Sequence, residues 1–409
     1  MKTAILSVGT EILFGQIVNT NTVYLSQQMN MLGFDVMYHY TVGDNPKRVE
    51  ETIDLAFQDC DLILTTGGLG PTQDDLTKEV ACKALDDTLV MMDDVLEEIT
   101  KYFKTLGREM TENNKKQAIM PSRATVFHND AGTAPGFALE KGGKYIICMP
   151  GPPREMKRMF QKSVVPFLQS MIDGALYYRQ IRFLGIGESM LETQLLDLID
   201  NQTDPTLATY AKEGECSLRI ASKRATEEEA EHAVDEMLEK VKERVGHYIY
   251  SCDDEELAQV VADRLMEQGL TLSSAESCTG GMFASTMTDI PGISQCFDRG
   301  LVTYSNQAKM EELGVSAETL EKFGAVSEET ALEMVEGLKS VSGSDVCISV
   351  TGIAGPGGGS EEKPVGLVYI GFAYGDKKIC KKIQMRNVNR SWNRHYTLLC
   401  MLNVIYRNI

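Results

Sequence analysis

A chain of 409 residues, 43% hydrophobic and 24% charged, has the length for two or three domains and the composition of a soluble globular protein. Its 59 acidic against 40 basic residues leave a net charge of −19, which argues against direct nucleic-acid binding, and no apolar run approaches the roughly 18–20 residues that cross a bilayer. Ten cysteines without a C-x-x-C pair and five dispersed histidines predict reduced thiols, not a zinc site, and the opening MKTAILSVGTEIL lacks the apolar core of a secretory signal, so a cytoplasmic location is expected.

Residues 1–170 alternate short β-rich runs at 4–8, 35–42 and 61–65 with helical patterns at 21–31 and 46–57. That alternation predicts a doubly wound parallel sheet with helices on both faces. Glycine-rich turns follow the first and third strands. In open α/β sheets ligands bind beyond the carboxyl ends of strands, so Gly67, Gly68, Gly70 and Thr72 are read as walls of a site. Asp44 follows the second strand, and Asp74, Asp75 and Glu79 follow the third. Such carboxylates suit a divalent cation bridging phosphates, while Asp75 could also simply cap a helix over 76–85.

Residues 171–252 read as β-α-β-β-α-β, the order of a split βαβ sandwich, and carry no catalytic constellation. Their charge run EEEAEHAVDEMLEKVKER is a solvated helix face with (i, i+4) pairs. Residues 253–409 form a layered α/β domain. Asp254 is a plausible cap for a helix over 255–267, strands are expected at 271–275, 301–304, 345–350, 366–373 and 377–383, and a last helix runs over 389–404.

Three segments of this last domain could do chemistry. AESCTGG at 275–281 lies at a strand-to-helix junction, where Ser277 would sit against free backbone amides able to hold an oxyanion. The same heptad reads equally well as a serine cap before a glycine turn. Cys278 is a rival nucleophile. A serine needs a base, no histidine is placed for it, and Lys309 can serve if burial lowers its pKa; Tyr304 points toward the same end of the sheet. Thr351 opens the loop TGIAGPGGG, whose Gly352, Gly355, Gly357 and Gly358 would expose amides to a phosphate or ribose. Thr279, Gly280 and Gly281 complete the expected substrate-binding backbone, and Arg386 and Arg390 could clamp a phosphate.

Taken together, SVGTEILFGQIVNTN at 7–21, TTGGLGPTQDDLTKE at 65–79, NKKQAIMP at 114–121 and MPGPPREM at 149–156 resemble the CinA family. So do AESCTGG, YSNQAK at 304–309, GAVSEE at 324–329 and VTGIAGPGGGSEEKPVGLVYIG at 350–371. The resemblance covers essentially the whole chain. It implies an amino-terminal domain like the molybdopterin-binding MogA/MoaB proteins, a ferredoxin- or KH-like middle domain and a carboxy-terminal amidohydrolase domain. For the last it implies hydrolysis of the carboxamide of nicotinamide mononucleotide, with Ser277 as nucleophile, Lys309 as base, and Tyr304 and Thr351 in the catalytic site. For the first it implies metal-dependent ADP-ribose pyrophosphatase activity. Asp44 and Asp75 would then be catalytic, Asp74, Asp75 and Glu79 would be ligands, and magnesium or cobalt the ion, with potassium a further candidate. No cofactor is expected for the deamidase domain, and the expected assembly is a homodimer. Gln384-Met385-Arg386 departs from the family's Gly-Asp-Arg, which weakens the clamp assignment. A deamidase with a non-catalytic nucleotide-binding first domain, or a competence or DNA-repair adaptor working through protein contacts, are the alternatives.

Overall fold

The computed structural model describes residues 1–409 with the exception of 106, 172, 173 and 387. The chain divides into two compact units, Met1–Leu176 and Tyr177–Ile409.

The first unit is built on a six-stranded sheet. Its order is Asp35–Val42, Lys2–Val8, Leu62–Thr66, Lys144–Met149, Gly136–Lys141 and Thr125–Phe127. The first four strands are parallel and the last two antiparallel. Side chains alternate across a strand, so Ala4, Leu6 and Val8 enter one core while Ile5 enters the other. Helix Pro46–Asp59 covers the first core through Val49, Ile53 and Ala56, and Thr20–Met31 covers the second through Leu25 and Met29. Both helices start where the chemistry dictates. The Asn45 carboxamide accepts from the Arg48 amide, with Pro46 at the first helical position, and Asn19 accepts from the Thr22 amide.

The turn after Leu62–Thr66 cannot carry side chains. Gly67 and Gly68 have φ of 105° and 70°, and a Cβ on Gly67 would lie 2.1 Å from the Val8 carbonyl. A Cβ on Gly68 would lie 2.0 Å from the Thr77 hydroxyl. The helix that follows is Thr77–Ala84, with Leu76 at its N-cap and no side-chain cap. Asp75, expected as a possible cap, instead accepts from the Thr72 amide and hydroxyl, because the Pro71 turn brings those donors closer than the helix start.

The second unit contains two sheets. The smaller, ordered Thr206–Lys212, Glu215–Arg224, Ala175–Phe183, Ile249–Ser251, has the strand order of a split βαβ sandwich. Helices Glu188–Asp200 and Glu227–Val245 pack on it through Leu191, Leu195, Val234, Leu238 and Val241, leaving the charge run in solvent. The larger sheet is ordered Phe297–Val302, Leu272–Glu276, Val346–Gly352, Leu367–Tyr374, Lys377–Gln384. Its first three strands are parallel, so their carboxyl ends gather at one edge. Helices Leu257–Gln268 and Arg390–Tyr406 cover one face, and Glu328–Ser342 covers the other. Asp254 does not cap the first of these helices. It has φ of 60° and its carboxylate receives the Arg182 guanidinium at 2.7 Å, while the helix begins beyond an uncapped Glu256. The strand expected to end at Tyr304 stops at Val302, and a helix at Ala317–Phe323 joins those expected from the sequence.

Among the described residues, no helix is long and apolar enough to cross a membrane.

Candidate active site

The carboxyl ends of the three parallel strands enclose a cavity of about 200 Å³ lined by Ser277, Tyr304, Lys309, Thr351, Gly352 and Arg390, together with Cys278, Ala325, Val326 and Ala354. Ser277 follows strand Leu272–Glu276, and its amide donates to the Val350 carbonyl at 3.0 Å, tying it to the neighbouring strand. Lys309 sits in the helix Asn306–Leu313, whose start is fixed by the Ser305 hydroxyl accepting from the Ala308 amide. Its side chain is 1% exposed and its ammonium lies 3.0 Å from the Ser277 hydroxyl.

Burial lowers the Lys309 pKa to about 8, against a smaller opposing pull from Cys278. The lysine also donates to the Thr303 carbonyl at 2.8 Å and the Tyr304 carbonyl at 3.3 Å. When neutral, it keeps its two protons on those carbonyls and turns its lone pair to the Ser277 O–H. That is the geometry of a general base on a nucleophile. The rival thiol of Cys278 is buried, and desolvation pushes it up to about 12, so it stays protonated and weakly nucleophilic near neutrality.

Ser277 does not stand at the helix start itself. The helix is Met282–Thr288, separated from Ser277 by a turn in which Gly280 and Gly281 have φ of 60° and 88°. Its first amides are taken by Glu276, fully buried, whose carboxylate accepts from Phe283 at 3.1 Å and Ala284 at 2.9 Å. Of the amides in this turn, only that of Cys278 belongs to a residue lining the cavity, so it is the one placed for an oxyanion. Thr279, Gly280 and Gly281 therefore shape the turn and do not line the cavity.

Other expected contacts separate as well. Thr351 lines the cavity, but its hydroxyl donates to the Ala325 carbonyl at 2.6 Å, so it braces the opposite wall. Gly352 lines the cavity, whereas Gly355, Gly357 and Gly358 lie in the loop outside it. Arg390 joins the site: it donates to the Gly355 carbonyl at 2.8 Å and to the Tyr304 hydroxyl at 3.1 Å. Arg386 lines a different cavity, so the two arginines form no single clamp. Two residues went unread in the sequence. Asn393 donates to the Ala354 carbonyl and Arg394 to the Thr279 carbonyl, pinning both loops to the last helix. Their helical spacing from Arg390 was the available signal.

In the first unit, a cavity of about 560 Å³ is lined by Gly67, Gly68, Gly70, Asp44, Asp74 and Asp75, among others. The Asp44 carboxylate accepts from the Thr10 amide at 3.0 Å and hydroxyl at 2.8 Å. Thr72 is turned to Asp75 and is not part of the wall. Glu79 does not join the aspartates. It faces Lys116 at 3.4 Å, the lysine that also donates to the Asp75 and Thr72 carbonyls. Among the described residues no group of three or more His, Cys, Asp or Glu is placed to hold a metal ion. Asp44, Asp74 and Asp75 are the aspartates that line this cavity and could contact an ion held there by a substrate phosphate.

Residues 254–409 match the CinA C-terminal domain, residues 178–251 the damage-inducible protein CinA KH domain, and residues 4–170 the probable molybdopterin binding domain. A putative competence-damage inducible protein of Acetivibrio thermocellus is 45% identical over 100% of this chain and 99% of its own. The chain belongs to the CinA family. A CinA-like protein of Dictyoglomus thermophilum is 46% identical over the same shares of the two chains. The crystal structure of competence/damage inducible protein CihA from Agrobacterium tumefaciens is 43% identical over 37% of this chain and 92% of its own, with a TM-score of 0.36. In this family member the MogA/MoaB-like domain, the small KH-like domain and the α/β carboxy-terminal domain follow one another along the chain.

Proposed function

We propose that the carboxy-terminal site hydrolyses the carboxamide of nicotinamide mononucleotide to nicotinate mononucleotide and ammonia. The single observation that carries this reading is the buried Lys309 amine at 3.0 Å from the Ser277 hydroxyl, with its other protons held by carbonyls. Ser277 Oγ attacks the amide carbon as Lys309 takes its proton. The oxyanion lies toward the amide of Cys278, which lines the cavity. Collapse breaks the C–N bond, ammonia leaves with the proton that Lys309 returns, and water then hydrolyses the serine ester with Lys309 again as base. Ammonia release from nicotinamide mononucleotide by the full-length protein tests this, and no release would overturn it.

Arg390 is the arginine lining this cavity, and its guanidinium suits the substrate phosphate. Arg390→Ala is expected to raise KM for nicotinamide mononucleotide by about tenfold or more, as lost charge-assisted hydrogen bonds usually do. Arg386→Ala should raise it less. Steady-state kinetics of the two variants decides, and an equal or larger effect of Arg386→Ala would restore the two-arginine clamp.

For the first domain we propose metal-dependent hydrolysis of the ADP-ribose pyrophosphate. A divalent cation held by Asp44 and Asp75 would neutralise the phosphate charges there. Gly67, Gly68 and Gly70 present backbone without side chains along this wall, which suits close approach of a diphosphate. Asp75→Ala is expected to lower magnesium- or cobalt-dependent ADP-ribose cleavage by on the order of 10²-fold, with circular dichroism reporting an intact fold. Undiminished cleavage would remove Asp75 from the site.

A further inference from the structure

Arg386 lines an open cavity of about 510 Å³ that lies at the seam between the two sheets of the second unit, apart from the Ser277 cavity. One wall is the turn Gly185–Glu188, another the hairpin end carrying Lys212 and Gly214, and a third the start of helix Arg390–Tyr406. The hairpin is pressed against this helix so closely that a Cβ on Gly214 would lie 2.9 Å from the Tyr396 ring, which holds the cavity's shape.

Two features distinguish this seam from simple packing. The first is aromatic. Trp392 and Tyr396, one helical turn apart, both line the cavity and stack on each other with centroids 5.0 Å apart and planes 10° from parallel. The second is charge. Arg386 and Lys212 have no side-chain hydrogen bond or ion pair among the described residues, in a chain whose net charge is −19. Elsewhere in this unit Arg179, Arg182 and Arg244 are each drawn to carboxylates. Of the two acids on the wall, Glu215 accepts from the Tyr250 hydroxyl at 2.8 Å and lies 4.0 Å from Arg182, so its charge is answered from within. Glu188 and Glu215, the latter attracted to Lys212, face the two cations, and among the described residues neither acid forms an ion pair with Arg386.

We propose that this cavity is a second small-molecule site, for a planar aromatic ring bearing a phosphate, of the mononucleotide class. The ring lies against Trp392 and Tyr396, and the anion is drawn to Arg386 and Lys212. Base–aromatic stacking and guanidinium–phosphate pairing are each strong enough to shift affinity severalfold. The helix that supplies Trp392 here supplies Arg390 to the Ser277 cavity, so the two sites share one helical turn without sharing a residue. This assignment does not depend on the reaction proposed for Ser277.

Trp392 is the only tryptophan of the chain and lines this cavity, so intrinsic fluorescence reports on its surroundings. Titrating the full-length protein with adenosine monophosphate is expected to give a saturable fluorescence change. Adenosine and inorganic phosphate, each offering half of the recognition, should need at least about tenfold higher concentrations. Arg386→Ala and, separately, Lys212→Ala should each raise the half-saturating concentration of adenosine monophosphate about fivefold or more. Both side chains are at the surface, so the fold should survive either change. The absence of a saturable change would overturn the proposal. So would phosphate acting as well as the nucleotide, or a larger shift from Arg390→Ala than from Arg386→Ala, which would put the ligand in the Ser277 cavity.

Discussion

Ser277→Ala is expected to lower ammonia release from nicotinamide mononucleotide by on the order of 10³-fold or more, as loss of a nucleophile does in serine hydrolases. The reason is geometric. Ser277 is the hydroxyl placed 3.0 Å from the buried amine, and its position is fixed by its amide bond to the Val350 carbonyl. The substitution removes one oxygen from a side chain 9% exposed and leaves that backbone bond in place, so the fold should be retained. Binding of the mononucleotide, measured by calorimetry, should change far less than the rate. Equal rates in wild type and variant would sink the nucleophile assignment. Cys278→Ala is the companion measurement, and with its thiol pushed up to about 12 it should affect the rate little.

The second large effect concerns Lys309. Lys309→Met is expected to abolish turnover to a similar degree, because general base and nucleophile act as a unit whose losses are not additive. The wild-type rate should also follow the titration of this amine. A lysine acts as base only when neutral, so kcat/KM should rise with pH through about 8 and then level off. At pH 7 about one molecule in ten carries the neutral amine, against about one in three thousand for a lysine at its ordinary value. The sign for stability is linked. The lowered pKa means that the unfolded chain binds the extra proton between about pH 8 and the ordinary lysine range near 10.5. This group therefore adds stability as pH rises through that window, and its desolvation cost is fully present below pH 8. A pH–rate profile that is flat from 6 to 9, or that falls with rising pH, would show that Lys309 is not the base.

Much of the framework was legible from residue pattern alone. The alternation of β-rich and helical runs gave three of the four parallel strands of the first sheet, and Leu272–Glu276 and Val346–Gly352 of the last, while Lys144–Met149 went unread and Phe297–Val302 was placed four residues late. Gly67 and Gly68 stood out because turns of this tightness exclude side chains. Ser277, Tyr304, Lys309 and Thr351 could be nominated together because each follows a strand or opens a helix, and parallel strands bring those ends to one edge.

What could not be read is where each donor and acceptor spends itself. Nothing in AESCTGG tells that Glu276, not Ser277, satisfies the following helix, a choice made by the two glycines that delay its start. Nothing in the spacing of Asp75 and Glu79 tells that Lys116, 37 residues further along than Glu79, draws the glutamate to 3.4 Å and splits the acidic set. Arg386 and Arg390 are four apart, yet the first precedes the helix and the second begins it, so they face different cavities.

The sequence by itself determined that Ser277 would lie at a strand end near a loop rich in free amides, and that Lys309 would open a nearby helix, because both follow from local period and turn chemistry. Only the tertiary structure decided that the two side chains meet, that the lysine is buried deeply enough for its pKa to be lowered to about 8, and that Ser277 is released from capping duty. Those outcomes depend on desolvation and on contacts between residues tens of positions apart, which local pattern does not encode.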